Sequence, residues 1–473
     1  MNQRHTSSPE AYKLYYLNQA QQRGDGPSSP FFGGKLFQRG YGQLEDEISL
    51  IHPKSYECTI DELDLFTISP TQNSVLKKVD VEFRPLSTLN SNTPIEFSIP
   101  GNEDCIRLPH TQLYVAGTIK HKDGTALEAN ERVAPVNNFL HSLWKQIDVF
   151  FGSPRVSNPT NTQSYKAYLE TVLNFGTGAK GSQLQTSMWN EDTAGSFDDT
   201  RVAAEGTNKG FKKRNDLIKE STEFEMIAPL FVDAFTIRKY LLSFVGMKVK
   251  LIPSSPEFCL MSGATGKEYV INLTSAVLKV RKMEIAPHII MAHEAALMKS
   301  PACYTIRRTE CKAFTIPGTT PSITKDNVLD GQIPKRFVVG LVRASAVNGH
   351  LKQNPFEFKL FGMSSIGVYI DDEHAGGKLM KLKLTANGGH FIEAYQTLFT
   401  GTGKFRLDNG NSITRSDYYQ GYGLFVVDLT PDGCDSPELL TLRQKGNLTL
   451  EIVFDRALTE AINLFCYAEF DNI

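Results

Sequence analysis

Four segments of this chain recur in the same order. Residues 146–152 (QIDVFFG) are echoed by 365–371 (SIGVYID), and 167–178 (AYLETVLNFGTG) by 394–403 (AYQTLFTGTG). Residues 229–233 (PLFVD) are echoed by 424–428 (LFVVD), and 245–252 (VGMKVKLI) by 445–452 (KGNLTLEI). The offsets run from 195 to 227 residues. One match of this kind is chance, whereas four in order predict a single topology built twice. The halves are expected to meet near residues 286–300, where APHIIMAHEAALMKS reads as a short helical linker.

The repeated unit is read from its period. VDVEF, PIEFSIPG, LYVAGTIK, GMKVKLI, FEFKLF, IGVYI, NLTLEIVF and INLFCYAEF each place apolar residues at every second position, the signature of a half-buried strand. Turn clusters such as NSNTP, HKDGT and TPDGCDSP separate them. Helical patterns are few and short. The chain is therefore expected to be an all-β protein of sandwich type, with long polar insertions, notably 176–222, as loops at the sandwich ends.

One stretch mixes the two periods. In 136–153 (VNNFLHSLWKQIDVFFGS), Val136, Phe139, Leu140, Leu143, Trp144 and Ile147 form a helical stripe, with Asn137 and Asn138 as N-cap candidates. Ile147, Val149 and Phe151 then alternate as in a strand, and Gly152, Ser153 and Pro154 close it with a turn. The stretch predicts a short structural helix feeding a strand. His141 sits one position past the stripe, as a half-buried packing residue and not a catalytic base.

Bulk properties set the class. The 473 residues are 41% hydrophobic and 22% charged, a globular composition with room for two or three domains. The formal charge of −2 gives no sign of a nucleic-acid coat or a membrane surface. No apolar run approaches the ~18 residues of a membrane span, and the N-terminal residues lack the apolar core of a signal peptide. The seven cysteines are scattered without a CxxC, which fits free buried thiols in a reducing compartment.

Motifs that carry chemistry elsewhere lack their context here. GTGAKG (176–181) is a GxGxxG, but a helical pattern precedes it and a polar loop follows, the reverse of a dinucleotide fingerprint. A Gly-rich helix C-cap is the expected reading. HEAAL (293–297) begins like a zincin motif, but Leu297 stands where the second histidine is needed. NLT occurs at 272 and 447 inside strand patterns, as unused glycosylation sequons, and FKKRND (211–216) reads as a solvated loop cluster rather than a nuclear signal. TIRRTECKAFTIPG (305–318) and LRQKGNLTLEI (442–452) read as solvent faces or subunit contacts. No catalytic residues, cofactor site or metal site are assigned, and no enzymatic role is expected.

Several separated stretches, in order, resemble the major capsid proteins of Polinton/Maverick elements and the related adinto-like viruses: SYECTIDELDLFTISPTQNSV, VEFRPLSTLNSNTPIEFSIPG, FLHSLWKQIDVFF, TRSDYYQGYGLFVVDLTPD and INLFCYAEFDN. The resemblance runs from about residue 51 to residue 473. It implies a double jelly-roll, two tandem eight-stranded β-sandwiches with short helices and long loops. It also implies a hexon-like, pseudo-hexagonal homotrimer that tiles the icosahedral shell of a dsDNA virus or virus-like element. The expected partners are copies of the chain itself, neighbouring capsomers and penton or minor capsid proteins. The location implied is the virion, with synthesis in the host cytoplasm and assembly in the host nucleus. The expected divisions are an arm at 1–50, a first jelly-roll at 51–290 and a second at 291–473. The rival readings are a double β-sandwich glycan-binding or fibre protein and a β-sandwich hydrolase. The latter needs a carboxylate pair ~5–10 Å apart in a cleft, which spacing does not reveal.

The front departs from that resemblance. Residues 1–50 are rich in Gly, Pro, Ser and Gln without periodicity, as in a flexible arm, and resemble the start of a Gly-rich companion virion protein. Residues 1–43 carry five cations (Arg4, Lys13, Arg23, Lys35, Arg39) against Glu10 and Asp25, a net +3 that leaves −5 on the remainder. Such an arm suits sequence-blind contact with packaged DNA. Two sites in it resemble those cut by adenovirus-type maturation proteases: FFGG before Lys35, between Gly34 and Lys35, and QRGY before Gly42, between Tyr41 and Gly42. Both carry an unusual first residue, Phe31 and Gln38.

Overall fold

The computed structural model describes residues 54, 60–89, 93–202, 206–329, 331–375, 379–385, 388–431, 433 and 439–473. Two units separate by contacts, residues 1–73 and 74–473. In the first, a 3-10 turn spans Asp61–Leu63, and the Thr67 amide donates to Asp64 Oδ1 at 3.0 Å.

The second unit holds both sandwiches. Its first strands are β1 (Val75–Phe83), β2 (Ile95–Ile99), β3 (Cys105–Ile106), β4 (Gln112–His121), β5 (Val133–Pro135) and β6 (Trp144–Phe151). These are followed by β7 (Phe224–Pro229), β8 (Met247–Pro253), β9 (Leu260–Ser262) and β10 (Tyr269–Ile285). After helix Pro287–Leu297 come β11 (Ile306–Ile316), β12 (Ser322–Lys325), β13 (Arg336–Arg343), β14 (Met363–Ile370), β15 (Glu373–His374) and β16 (Met380–Lys381). A hairpin of β17 (Lys383–Thr385) and β18 (Gly388–His390) precedes β19 (Leu424–Asp428), β20 (Leu448–Phe454) and β21 (Ile462–Asn472).

The two sets have one topology. The first forms a sheet ordered β1-β10-β4-β7 facing a sheet β2-β8-β6; the second forms β11-β21-β13-β19 facing β12-β20-β14-β15. Strand for strand, first pairs with last, last with third, and third with the fifth of seven or the sixth of eight, all antiparallel, which is the jelly-roll order. Along these paths, among the described residues, the second sandwich has eight strands, counting the short β15, and the first has seven; β3 and β16 pair off the paths with β10 and β14, and an isolated bridge, Phe150 to Arg155, stands where β15 stands in the second.

Equivalence extends to single residues. Val149 pairs with Val249 across β6 and β8, and Val368 with Leu450 across β14 and β20. The echo of 146–152 by 365–371 therefore marks equivalent strands. Gly117 on β4 faces Phe224, the first residue of β7, and Gly340 on β13 faces Leu424, the first residue of β19. A Cβ at Gly117 would come within 2.6 Å of the Asn272 carbonyl, and one at Gly340 within 2.5 Å of the Phe358 ring, so both positions need the bare backbone.

Two echoes are shifted from the structural match. Strand β19 (LFVVD) corresponds to β7 (FEMIAP), not to residues 229–233, which begin where β7 ends. The 245–252 echo slips by one residue, because Asn447 lengthens the turn before β20. The one-residue offset keeps Met247, Val249 and Leu251 in register with the buried Leu448, Leu450 and Ile452.

Residues 136–151 form a short helix feeding a strand, as expected, but the helix is a single turn and the strand starts earlier than the pattern indicated. Helix α1 is only Phe139–Ser142; Asn138 is left-handed (φ 57°) and makes no side-chain cap; Trp144 already belongs to β6, opposite Pro253. All six apolar residues of the stripe are nevertheless buried. A segment enclosed on every side satisfies either period, so the pattern could not distinguish them. His141 is fully buried, not half-buried, with its ring edge-on to Phe231 at 4.7 Å. FEFKLF (356–361) is not a strand: Phe356 and Phe358 are buried, but among the described residues its one ladder contact is a bridge from Phe358 to Tyr422. Its alternation reflects packing, not pairing.

Trp144→Ala is expected to destabilise the protein by about 3–5 kcal/mol through the cavity it leaves, measured as a loss in chemical-denaturation midpoint. His141→Gln, which keeps most of the volume, is expected to cost less than half as much.

Candidate functional site: the seam between the jelly-rolls

The remaining helices are α2 (Gln163–Asn174), α3 (Thr177–Lys180), α4 (Lys209–Asp216), α5 (Pro256–Cys259), α6 (Pro287–Leu297), α7 (Ala344–Val347), α8 (Ile392–Thr400) and α9 (Arg415–Tyr419). Helices α2 and α8 are the echoed pair, each following β6 or β14 in its half. Helix α2 does more than fill its own sandwich. Strand β21 is buried along nine consecutive residues, so both its faces are covered. Leu464, Cys466, Ala468 and Phe470 alternate with Phe465, Tyr467 and Glu469; of the latter set Phe465 and Tyr467 meet α2, and Glu469 is joined to it through Tyr467.

Aromatic packing dominates the upper seam. The Tyr165 ring stacks on Phe465 at 3.9 Å between centroids, and Tyr168 stacks on Phe356 at 4.3 Å with planes 4° apart. Phe258 and Phe358 close the cluster edge-on. Pairs of this kind contribute about 0.5–1.5 kcal/mol each beyond area burial.

Below it lies a polar cluster drawn from five elements. Lys166 on α2 donates to Asp233 Oδ1 at 2.5 Å, in the 3-10 turn Asp233–Thr236. Asp233 also accepts from the Thr309 amide (2.8 Å) and hydroxyl (2.7 Å) on β11. Arg336 on β13 forks onto both Glu469 oxygens at 3.3 and 3.2 Å, and its Nε donates to the Gly401 carbonyl at 2.6 Å. Tyr467 Oη lies 3.2 Å from Glu170 and 3.1 Å from Glu469. Burial pushes the Glu170 carboxyl up to about 7.

The insertion at 176–222 supplies a second tie. It is not a polar loop: Trp189, Phe197 and Phe211 are buried, and so is Arg214, within a sequence that reads as a solvated charge cluster. Arg214 Nη2 donates to Asp192 Oδ1 at 2.6 Å with both side chains shielded from solvent, and its Nε donates to the Pro135 carbonyl at 2.7 Å. Asp192 also accepts from Asn208 (2.9 Å) and from Asn354 of the second half (3.0 Å). Arg343 reaches back to Asp198 at 2.6 Å. Lys212, Lys213 and Asp216 are the residues of this motif that stay exposed.

The other motifs resolve into structure. Gly176 is extended (φ −89°, ψ −179°) and precedes α3, while Phe175 ends α2, so GTGAKG is not a left-handed C-cap. Lys180 in this stretch is buried and donates to the Asn411 carbonyl at 2.7 Å, where a phosphate contact would need it free. His293 and Glu294 lie on exposed α6. Burial lowers His141 to about 3, so it is neutral near pH 7 and cannot serve as a charged relay. Cys105, Cys259, Cys311 and Cys466 are buried free thiols, whereas Cys303 is exposed. Residues 305–318, read as a solvent face or subunit contact, include β11, which keeps exposed residues but buries Thr309 and Cys311 in the seam. Among the described residues no group of His, Cys, Asp and Glu could hold a metal ion, and no helix is long and apolar enough to cross a membrane. The cleavage candidates Gly34, Lys35, Tyr41 and Gly42, and the arm at 1–50, lie outside the described residues.

Outward, among the described residues, the sheets end in unpaired edge strands. Strand β1 borders one sheet with Leu76 and Val79 exposed, and α6 has no buried residue, with Met291 and Met298 facing solvent. Open edges and exposed apolar side chains are surfaces on which further chains can pair.

Two jelly-rolls fused through a buried seam define the chain as a double jelly-roll protein. Solved structures agree over nearly its whole length. The superposition has a TM-score of 0.55 with a chain of the Sputnik virophage at 11% identity, spanning 89% of this chain and 91% of that one. It is 0.52 with the Faustovirus major capsid protein at 10% identity (97% and 96%), and 0.51 with the PBCV-1 virus capsid at 9% identity (85% and 96%). An uncharacterised protein of Caenorhabditis elegans is 25% identical over 394 residues, spanning 80% of this chain and 90% of that one. No protein-family model matches the chain.

The seam was invisible in the sequence apart from one signal, the i, i+4 pair Lys166 and Glu170 within a helical pattern. Its other members come together from positions 60 to 300 residues away. Arg214→Ala is expected to cost about 3–5 kcal/mol, since it strands Asp192 in the interior. Arg201→Ala, at a surface pair with Asp199, is expected to cost about 1 kcal/mol or less. Thermal unfolding of the two variants side by side checks the contrast.

Proposed function

We propose that this chain is a major capsid subunit of a dsDNA virus or a virus-like Polinton/Maverick element. The observation that carries the reading is the tandem repetition of one jelly-roll topology within a single compact unit. Two similar wedges per chain give six in a closed ring of three, so a homotrimer offers near-sixfold contacts to its neighbours and tiles a lattice with few kinds of interface. The likeness to capsid chains of the Sputnik virophage and Faustovirus over most of each chain supports this reading. No observation favours the glycan-binding alternative.

In this reading the divisions are an arm at 1–50 and jelly-rolls at 51–290 and 291–473. Partners are further copies of the chain, neighbouring capsomers and penton or minor capsid proteins. The role is structural and not enzymatic. The chain ends up in the virion, after synthesis in the host cytoplasm and assembly in the host nucleus. Residues 1–43 of the arm, with net charge +3, lie against packaged DNA, with maturation cleavage after Gly34 or Tyr41 releasing part of the arm.

Light scattering at micromolar concentration is expected to give three times the 52.7 kDa chain mass. The interfaces are expected to bury more than ~2,000 Å². A monomer in near-physiological salt would contradict the proposal. Limited proteolysis with mass spectrometry tests the arm: closed particles are expected to protect residues 1–43 far better than free trimers do, and equal digestion would place the arm outside.

A further inference from the structure

The lower seam holds three carboxyl groups, Glu170, Asp233 and Glu469, against two shielded cations, Lys166 and Arg336. Arg307 stands at its rim, half exposed, 3.6 Å from Glu469. The pairing is uneven. Asp233 receives a full set of donors from Lys166 and Thr309. Glu469 receives the Arg336 fork. Glu170 is left with Lys166 at 3.8 Å, a cation already committed to Asp233, and with the Tyr467 hydroxyl. That hydroxyl has one proton and lies within reach of two carboxyl groups, so it can donate to only one of them at a time. The Cys311 thiol, on β11 beside the cluster, is raised by burial to about 12 and brings no charge.

A single extra proton resolves the arrangement. Carried by Glu170, it donates to Tyr467 Oη, and the Tyr467 proton donates in turn to Glu469. Every short distance in the cluster then has one donor and one acceptor, and three carboxyl groups carry two negative charges against two cations. The proton comes from solvent and returns to it, which the 15% exposure of the Glu170 side chain permits.

We propose that this cluster is a proton-sensitive strut between the two jelly-rolls: a proton on Glu170 holds helix α2 of the first against strand β21 of the second, and its loss loosens that contact. The proposal rests on the seam alone and stands or falls independently of the capsid reading.

The sign follows from linkage. Glu170 titrates near 7 in the folded chain against a reference of 4.5. Between those values the folded chain holds a proton that the unfolded chain has released, so stability falls as pH climbs through the window and levels off above about 7. In an assembled particle this would make the two wedges of each subunit firmly joined in mildly acidic surroundings and looser in mildly alkaline ones.

Hydrogen exchange on the full-length protein reads the strut locally. With rates corrected for intrinsic pH dependence, protection of residues 163–174 and 462–472 is expected to fall several-fold between about pH 6 and about pH 8. Strands β4 and β10, remote from the cluster, are expected to hold theirs. Seam protection that stays constant, or that changes only in step with β4 and β10, would overturn the proposal. Glu170→Gln, which keeps the shape and donates permanently, is expected to retain full seam protection at about pH 8 and to lose the pH dependence. A variant whose seam still loosens with rising pH as in the wild type would also overturn it. The wild-type measurement decides the matter even if that variant does not fold.

Discussion

The stacking of Tyr165 on Phe465 joins what would otherwise be two separate sandwiches. A jelly-roll normally turns one face of each sheet to its own core and the other to water. Here the outer face of the second sandwich carries Phe465, Tyr467 and Glu469, and the first sandwich covers it with helix α2. That helix is the echoed segment which its own half places between β6 and β7. The duplication therefore did not yield two equal domains: the first copy of the helix became the bolt that fixes the pair, and its counterpart α8 packs mainly on β19 within the second half. The orientation of one wedge to the other is set by this contact, by the ion cluster beneath it and by the Asp192–Arg214 tie. A protein that presents two wedges to its surroundings depends on that orientation being fixed.

The polar part of the seam matters for specificity more than for net stability. Buried ion pairs offset much of their attraction by desolvation, but leaving one member unpaired is expensive. Asp192, held by Arg214, Asn208 and Asn354, and Asp233, held by Lys166 and Thr309, thus penalise any sliding of the halves more than they stabilise the observed docking. The aromatic cluster provides the attraction, and the ion pairs select the register.

Much of the fold was legible in the sequence because strand burial writes itself as period-two alternation and because the topology occurs twice. The 146–152 and 365–371 echo found equivalent strands. The boundaries blurred where burial is complete. Residues 136–151 are the expected short helix feeding a strand, but the helix is a single turn and the strand already begins at Trp144, while 356–361, expected as a strand, alternate without joining a ladder. In both, the core surrounds the segment, and apolar spacing no longer reports which way the backbone turns. The polar insertion at 176–222 misled for the opposite reason. Arg214, Asp192 and Asn208 look solvated in a one-dimensional reading, and only their convergence in space satisfies one another. Apart from the i, i+4 pair Lys166 and Glu170, the seam residues carry no sequence signal because their partners lie in the other half, and a one-residue slip such as that at Asn447 is enough to blur the echo that would have aligned them.

Electron microscopy of the purified full-length protein tests the central claim most directly. If two jelly-rolls are locked as wedges for assembly, class averages will show a threefold particle with six similar lobes around a closed ring. Isolated two-lobed particles, or lobes whose mutual angle varies from particle to particle, would contradict both the rigid seam and the capsid reading built on it.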